Sequence, residues 1–522
     1  MGASTVRIAC KHPFQNPFTQ LNAVQTRCLL SVLPNVIEEA VMDARGSGVV
    51  TRPVRSLLYF VVVLGIFLLS CTEASAFPAF ARKYGLPCSS CHEAWPKLSP
   101  FGQQFKDNGY QLGNDRDAPI FQQAAYWPVA FRTTPNWHLE TANHVPVDGG
   151  ANGVVADVKT SGFDYTGLDI LTGGTLAKNV SFLFVPSSDE LGAFHIESVN
   201  VRFDNILNST WFNLKVGKFE LDNLLSEKRI LTLSSNGGFY QNYHFQPMYK
   251  PGTPETYVFG IGDNQLGVEW MGHSKNDRTR LSVAMLQPSD GNPDFVTGAG
   301  AGGFTGPGSA AGRTYDVFAA GSQAFEVKGL GLQRVGAFAY FGHSPTFPRF
   351  TSGGVDVPGT GIGNEPYYRV GLIGMWYVKK FDFTTMYFYG HDNAFLAAST
   401  PSNQTLPAGT RAPTWNGGLI ETHYTYNPQL IFVNRYELIR MSQQAFVGDP
   451  LTGEVANPGN AGDIDALTFG IRYYPFINSR AGFAFHNEYS IVWQRNSQIS
   501  PVTGGTIGLT SSSLLFGFDF AF

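Results

Sequence analysis

Five consecutive residues early in the chain have the types and spacing that attach a redox cofactor to a protein. They are Cys88, Ser89, Ser90, Cys91 and His92. Two thiols separated by two residues can form thioether bonds to the two vinyl groups of one haem, and the adjacent histidine can bind the iron as its proximal ligand. The motif therefore predicts one covalent haem c, attached at Cys88 and Cys91 and ligated by His92.

Three other chemistries use a C-x-x-C pair, and the surrounding sequence disfavours two of them. A zinc site needs a second pair of ligands nearby, and a thioredoxin-like motif needs a βαβ setting. The residues around the motif offer neither. A small disulfide loop is the third alternative. Of the five cysteines, Cys10, Cys28 and Cys71 precede the predicted cleavage point, so the mature protein keeps the motif pair alone.

Residues 52–76 have the parts of a secretory signal peptide. Arg52 and Arg55 form a basic region, residues 57–69 form an apolar run, and residues 74–76 form a small-residue cleavage site. The apolar run has 13 residues. A transmembrane helix needs about 20, so a permanent anchor is disfavoured. The sequence predicts an exported protein.

Two alternatives concern this N-terminal region. Residues 68–71 loosely resemble a lipoprotein box, which would make Cys71 a lipidated N-terminus instead of Phe77. Met42 is an available later start, because a signal peptide normally begins close to its basic region. We divide the chain into an N-terminal extension with signal peptide (residues 1–76), a monohaem cytochrome c segment (77–125) and a barrel (126–522).

The composition is unusual for a soluble protein. Charged residues make up 15%, aromatic residues 14%, and there are 58 glycines. These values are natural for a barrel with an aromatic lipid-facing surface and Gly-rich loops. Removing residues 1–76 takes away six Lys or Arg and four Asp or Glu, which leaves a formal charge of −6. This balance argues against nucleic acid as a partner.

From about residue 127 the apolar residues recur with a period of two, which predicts β-strands. The last strand is the clearest, because Leu514, Phe516, Phe518, Phe520 and Phe522 alternate with small or polar residues. A strand of this kind at the very C-terminus closely resembles that of bacterial outer-membrane barrels. A soluble β-sandwich is the alternative, which the length and the aromatic alternation disfavour.

We predict a mainly β fold, an outer-membrane antiparallel barrel of about 16 strands, with a small helical cap or plug that carries the haem. Seventeen segments are strand candidates, and residues 219–262 are the least certain region. Short turns at 379–380, 427–429 and 475–480 alternate with long polar loops, which predicts turns at the periplasm and loops outside the cell. An even strand number places the haem segment on the periplasmic side or in the lumen.

Within residues 77–125, the sequence predicts one helix. Ser99 is a candidate N-cap, Pro100 suits the first helical position, and Gly109 can end the helix. Phe101 and Phe105 recur at helical spacing. They and Leu98 are expected to pack either against a porphyrin or in a small apolar core.

Nine polar positions in the strands are predicted to face the lumen: Arg334, Arg369, Glu421, His423, Arg435, Glu437, Arg472, His486 and Glu488.

About 30 residues around the motif resemble the N-terminus of the fused outer-membrane cytochrome-porins of iron-oxidising bacteria. The resemblance is carried by residues 80–84, 88–92, 96, 98, 101–102, 105–106 and 109–110. It implies a protein that accepts electrons from extracellular Fe(II) through one c-type haem and passes them to a periplasmic cytochrome or cupredoxin, an iron:cytochrome oxidoreductase type of activity. It also implies that Cys88 and Cys91 hold the haem and that His92 is the proximal ligand.

The resemblance does not supply a distal ligand. The segment after the motif contains no second histidine or methionine before the barrel. Three options follow: a barrel residue such as His138, His144 or Met248, a lysine such as Lys97 or Lys106, or water. We expect the ligand to come from the barrel.

Two other functions compete with Fe(II) oxidation. One is a haem-bearing porin whose main activity is solute passage. The other is an electron conduit for a different extracellular donor or acceptor. Hydrolytic and nucleotide-dependent activities have no motif to support them.

Overall fold

The computed structural model describes the chain from residue 79 to residue 521, with gaps. The described residues are 79–94, 97–122, 128–146, 154–188, 192–221, 264–287, 315–345, 349–352, 355–358, 364–392, 412, 414–442, 446–447, 455–456, 463–478, 482–499 and 506–521. The predicted signal peptide and its cleavage site lie outside this part of the chain.

Sixteen antiparallel strands close into one barrel, as predicted. Each strand pairs with its neighbour in sequence, and the last pairs with the first. Closure leaves no free strand edge, so the backbone groups of the wall are satisfied within it. The strands are β1 Val129–Pro146, β2 Val155–Ala177, β3 Val180–Ser188, β4 Phe194–Phe203, β5 Asn213–Glu220, β6 Asn264–His273, β7 Thr279–Leu286, β8 Asp316–Val327, β9 Gly331–Pro345, β10 Asn364–Val378, β11 Phe381–His391, β12 Thr414–Asn427, β13 Leu430–Met441, β14 Asp463–Tyr473, β15 Gly482–Ile499 and β16 Thr506–Ala521.

Sixteen of the predicted strand segments correspond to these strands. The remaining candidate, near residue 236, falls outside the described residues. Two-stranded hairpins at Arg349–Ser352 with Val355–Pro358 and at Phe446–Val447 with Val455–Ala456 belong to the long connections. The alternation of short and long connections is confirmed between β5 and β14, where the connections after β6, β8, β10 and β12 have two to five residues and those after the odd-numbered strands have 18 or more. Both ends of the barrel chain therefore lie at the short-turn end.

The outward face of the wall is apolar. In β12, Ile420 is 52% exposed, whereas its neighbours Glu421 and His423 on the inward face are fully buried. In β16 the outward Phe516 is 46% exposed and the inward Asp519 is buried. An apolar exterior with the polar side chains inside reverses the order of a soluble protein and is the pattern of membrane barrels.

All nine polar positions predicted to face the lumen do so. Arg334 is partly buried and the other eight are buried. The inner wall is not uniformly polar, however, because one inward-facing cluster with members from β5 to β15 is apolar, which alternation alone could not predict. Its largest members are Phe219, Phe318, Phe338, Tyr340, Tyr367, Phe388 and Trp415.

Before the barrel the chain forms a small helical unit, which we name the plug (residues 79–94 and 97–122). It contains helices α1 Ala79–Tyr84, α2 Cys88–Cys91 and α3 Pro100–Asp107, and the short strands His92–Ala94 and Lys97–Leu98 pair between α2 and α3. Single 3₁₀ turns at Asp115–Asp117 and Ile120–Gln122 follow. Among the described residues, none of the helices has both the length and the apolar character of a membrane span.

The plug lies inside the barrel at its short-turn end. It contacts inward-facing residues of strands all round the wall, each within a few positions of a short turn. These residues are Thr175 on β2, Arg202 on β4, Arg280 on β7, Asp382 on β11, Ile431 on β13 and Ala484 on β15. Of the two placements expected from the sequence, below the barrel or in its lumen, the structure adopts the second.

Helix α3 packs directly on the end of α2. A methyl group at Gly102 would overlap the Cys91 carbonyl oxygen, which is backbone and cannot move aside. We therefore expect Gly102→Ala to destabilise the plug by about 1–3 kcal/mol, as overpacking of a filled interior does. The readout is the rate of tryptic cleavage within the plug of the folded protein. Gly162→Ala, where the added methyl meets nothing within 4 Å, is the control and should leave that rate unchanged.

Candidate functional site

The motif residues are positioned by one turn of helix. Cys88 and Cys91 are the first and last residues of α2, which follows an extended Pro87. Residues three apart lie on the same side of a helix, so the two thiols share one face. His92 leaves the helix in an extended conformation, and its N–H bonds the Cys88 carbonyl. Helical spacing of the thiols with an adjacent histidine is the arrangement that double attachment of one haem requires.

Ser99 connects α2 to α3. Its hydroxyl accepts a hydrogen bond from the Gly102 N–H at 3.1 Å, as the predicted N-cap of α3. The same hydroxyl donates to the Ser90 carbonyl at 2.8 Å, and the Ser99 N–H donates to the Cys91 carbonyl at 2.9 Å. Ser99 thus provides hydrogen-bond partners for a free backbone N–H at the start of α3 and for free carbonyl groups at the end of α2. The motif is held by α3 rather than by its own short helix.

Both motif cysteines are free thiols. Burial raises the pKa of Cys88 to about 11, and the neighbouring Cys91 adds to this shift. Burial also raises the pKa of Cys91 to about 11. The two side chains are therefore protonated at neutral pH and are poor nucleophiles and poor metal ligands, because both roles need the thiolate.

The surroundings do not resemble a metal site. Within the described residues there is no group of three or more His, Cys, Asp or Glu side chains that could hold a metal ion.

The predicted partners of a porphyrin separate into two environments. Phe105 is buried in an aromatic cluster with Phe80, Tyr84 and Tyr110, at ring-centroid distances of 5.2–5.9 Å. Phe101 is instead 41% exposed. Of the two environments expected for these side chains, Phe105 therefore occupies the apolar core of the plug, whereas Phe101 is largely outside it.

Lys97 carries the ion pair that fixes the hairpin after the motif. Its ammonium is buried, 2.7 Å from Asp382 on the barrel wall and 3.2 Å from Glu93. Burial by itself would lower the pKa of Lys97, but the Asp382 carboxylate, with Tyr377 and Glu93, raises it above its ordinary value. Lys97 therefore stays protonated, and a protonated amine has no lone pair for iron.

Asp382 also bonds to a second residue of the barrel wall. The same Oδ1 lies 2.7 Å from Nδ1 of His423, whose Nε2 lies 2.6 Å from Glu421. Arg435 and Glu437 continue this chain on the next strand, 2.8 Å apart. Both ring nitrogens of His423 are thus engaged, which leaves it without a free nitrogen for a ligand.

The three barrel candidates for the distal position lie apart. His138 is on the inward face of β1, in register with Leu515 and through it with Glu488. His144 is exposed with a left-handed backbone, near the end of β1 that is remote from the plug. Met248 lies outside the described residues. Lys106 is on α3, where its carbonyl accepts a hydrogen bond from Arg202 at 2.6 Å.

A second set of contacts holds the far side of the plug, and the sequence analysis did not identify it. Asp107, at the end of α3, pairs with the buried Arg280 of β7. Arg202 of β4 donates to the Asp107 carbonyl at 3.1 Å and pairs with Asp204 at 2.7 Å. Asp107 is more than 90 residues from both arginines in sequence. A signal that could have found them is the position of the two arginines, each on an inward face next to a short turn.

Neither a family model nor a curated protein matches this chain. Solved structures similar to it include an anion-selective porin from Comamonas acidovorans, at 10% identity and a TM-score of 0.45, covering 76% of this chain and 99% of that one. OmpT with loop L8 deleted, from Vibrio cholerae, has 9% identity, a TM-score of 0.43 and coverages of 76% and 99%. The outer membrane channel DcaP of Acinetobacter baumannii has 12% identity, a TM-score of 0.42 and coverages of 76% and 97%. At such values the likeness concerns the barrel fold and nothing finer.

Removing the charge of Asp382 should release the plug. Asp382→Asn leaves the buried Lys97 ammonium without its main partner, which costs about 3–5 kcal/mol. We expect faster tryptic cleavage within the plug and earlier unfolding in urea. Glu326→Gln, which removes the exposed ion pair with Arg278, is the matched control and should cost under about 1 kcal/mol. Equal effects of the two substitutions would contradict the role given to Lys97.

The raised pKa values of the cysteines predict slow alkylation. In protein made without haem, we expect iodoacetamide to modify Cys88 and Cys91 about 100-fold more slowly at pH 8 than an ordinary cysteine, because the thiolate fraction falls tenfold per pH unit below the pKa. The rate should rise as the pH approaches about 11. Mass spectrometry of the peptide that contains Cys88 and Cys91 measures the rate at pH 8 and its rise with pH. In haem-loaded protein neither cysteine should react at any pH, and modification there would contradict thioether attachment.

Proposed function

We propose that this protein is a c-type cytochrome of the outer membrane of a Gram-negative bacterium, which accepts electrons from extracellular Fe(II) and passes them through one haem to a periplasmic cytochrome or cupredoxin. The observation that carries the proposal is the C-x-x-C-H motif within a plug that lies inside a closed barrel. The resemblance of the N-terminal segment to cytochrome-porins supplies the donor and the direction of transfer.

The wall supports the location. Its outward side chains are apolar and aromatic, and its polar side chains face inward, as lipid contact requires. The plug lies at the short-turn end of the barrel, and short turns face the periplasm in outer-membrane barrels, which supports a periplasmic position for the plug. An electron carrier at that end is accessible to periplasmic partners, whereas the long loops meet the outside.

In this proposal Cys88 and Cys91 hold the haem and His92 is the proximal ligand. A bound haem supplies a one-electron couple, which matches the Fe(II)/Fe(III) couple. The chain supplies the rest. Ser99 and Gly102 fix the motif helix, Lys97 and Asp382 fix the hairpin that contains His92, and the wall limits the access of water to the site.

Passage of solutes is the second candidate, and the strand number favours it. Barrels of 16 strands enclose an aqueous channel when nothing fills them. The plug disfavours solute passage, because it contacts the wall on all sides of the short-turn end. Conductance in planar lipid bilayers separates the two candidates: a large open channel that is indifferent to haem reduction favours the porin.

Mixing the haem-loaded protein with Fe(II) from acidic to neutral pH tests the proposed electron transfer. We expect the haem absorption bands to change to those of the reduced form, because electrons leave Fe(II) one at a time and one haem accepts one. His92→Ala should lose this response or shift its spectrum while the barrel stays folded. An unchanged spectrum of the wild-type protein at every pH would point to a different extracellular donor or acceptor.

A further inference from the structure

Two basic side chains lie next to each other on adjacent strands of the inner wall, beside the plug. Arg472 on β14 and His486 on β15 are register partners. Their side chains are 2% and 4% exposed, so both are almost fully removed from water. They lie near the short-turn end, on the side of the lumen where the hairpin after the motif packs.

Part of the hydrogen-bonding capacity of these two side chains is unused, although the Arg472 side chain also hydrogen-bonds to the Tyr474 side chain. Both Nη nitrogens of Arg472 and the Nε2 nitrogen of His486 are buried without a hydrogen-bond partner in the described structure. A buried polar group without a partner destabilises the folded state, and more so if it is charged. A guanidinium in this state is stable only if a ligand or ordered water completes it.

Arg472 differs from the other buried arginines of the described residues in having no carboxylate partner, although the guanidinium nitrogens of Arg435 also lack a hydrogen-bond partner. Among the five buried arginines of the described residues, the other four each pair with a carboxylate. The pairs are Arg202 with Asp204, Arg280 with Asp107, Arg369 with Asp392 and Arg435 with Glu437.

The local charge favours an anion. The charged groups that act on His486 are Arg472 and Arg132, both cationic. Arg132 is held by Asp519 at 2.9 Å and Asp169 at 3.5 Å, whereas Arg472 forms no salt bridge within the described residues. Glu488, two residues beyond His486 on the same face, is the nearest opposing carboxylate by sequence. A planar guanidinium beside an imidazole N–H matches the two oxygens of a carboxylate or the oxygens of phosphate.

The motif reaches the same side of the lumen. Ala94, two residues after His92, packs in one cluster with Ile431, Tyr474 and Ala484. Ile431 is the other register partner of Arg472, and Ala484 is two residues from His486. The Ser89 N–H also donates to the Ile477 carbonyl at 2.9 Å in the adjoining turn.

We propose that Arg472 and His486 form a binding site for one carboxylate or similar oxyanion. The ligand is either a propionate of a haem attached at Cys88 and Cys91, which rests on the proposed function, or a free anion that enters the lumen, which does not.

Titration with inorganic phosphate tests the site in the full-length protein, once without haem (Cys88→Ala with Cys91→Ala) and once loaded with haem. Calorimetry should detect binding without haem, weakened about 10- to 100-fold by Arg472→Gln, since hydrogen bonds to a charged group contribute about 1.5–3 kcal/mol. Arg472→Lys should keep part of the affinity and Glu488→Gln should increase it. Arg278→Gln, at an exposed arginine, is the control and should change nothing.

The haem-loaded arm identifies the source of the anion. If a propionate occupies the site, phosphate no longer binds, and Arg472→Gln lowers the midpoint potential of the haem because a cation beside it is lost. If phosphate binds equally in both forms, a free anion is the ligand. No phosphate binding without haem, together with no effect of Arg472→Gln on the haem potential or spectrum, overturns the site. Because none of these readouts uses Fe(II), a failure of iron oxidation leaves them interpretable.

Discussion

A closed barrel of 16 strands has an interior that is too wide for the side chains of its own wall to fill. The plug fills the interior at one end of the barrel. It is small, its own core is little more than Phe80, Tyr84, Phe105 and Tyr110, and a unit of this size has little stability alone. Its position therefore depends on the wall, and the geometry of the C-x-x-C-H motif depends in turn on the position of the plug.

Charge pairing is what makes the docking specific. Apolar contacts alone would allow the plug to slide or rotate, whereas a buried ammonium or guanidinium tolerates only a position where its partner meets it. Lys97 with Asp382 on one side of the lumen and Asp107 with Arg280 on another define such a position. His423 extends the first pair into the wall, so that the plug and β11 to β13 form one polar network.

Arg472 stands out against this pattern because, unlike the other buried arginines of the described residues, it has no carboxylate partner. Its position beside His486, on the side of the lumen that the motif reaches, makes this pair of side chains a candidate anion site. It connects the two proposals, because an electron carrier needs control of its potential and a cation beside a haem carboxylate is one means of it. Solute passage would use the same side chains differently, as a binding point for anions.

The sequence by itself determined the motif, the period of two, the order of turns and loops, and the nine inward-facing polar positions. Each of these depends on spacing along the chain, which is a local property. Whether the plug hangs below the barrel or lies in its lumen was decided only by the tertiary structure. So were the engagement of Lys97 and His423 and the isolation of Arg472, because each depends on partners distant in sequence. Lys97 and Asp382 are 285 residues apart, and only closure of the barrel around the plug brings them together.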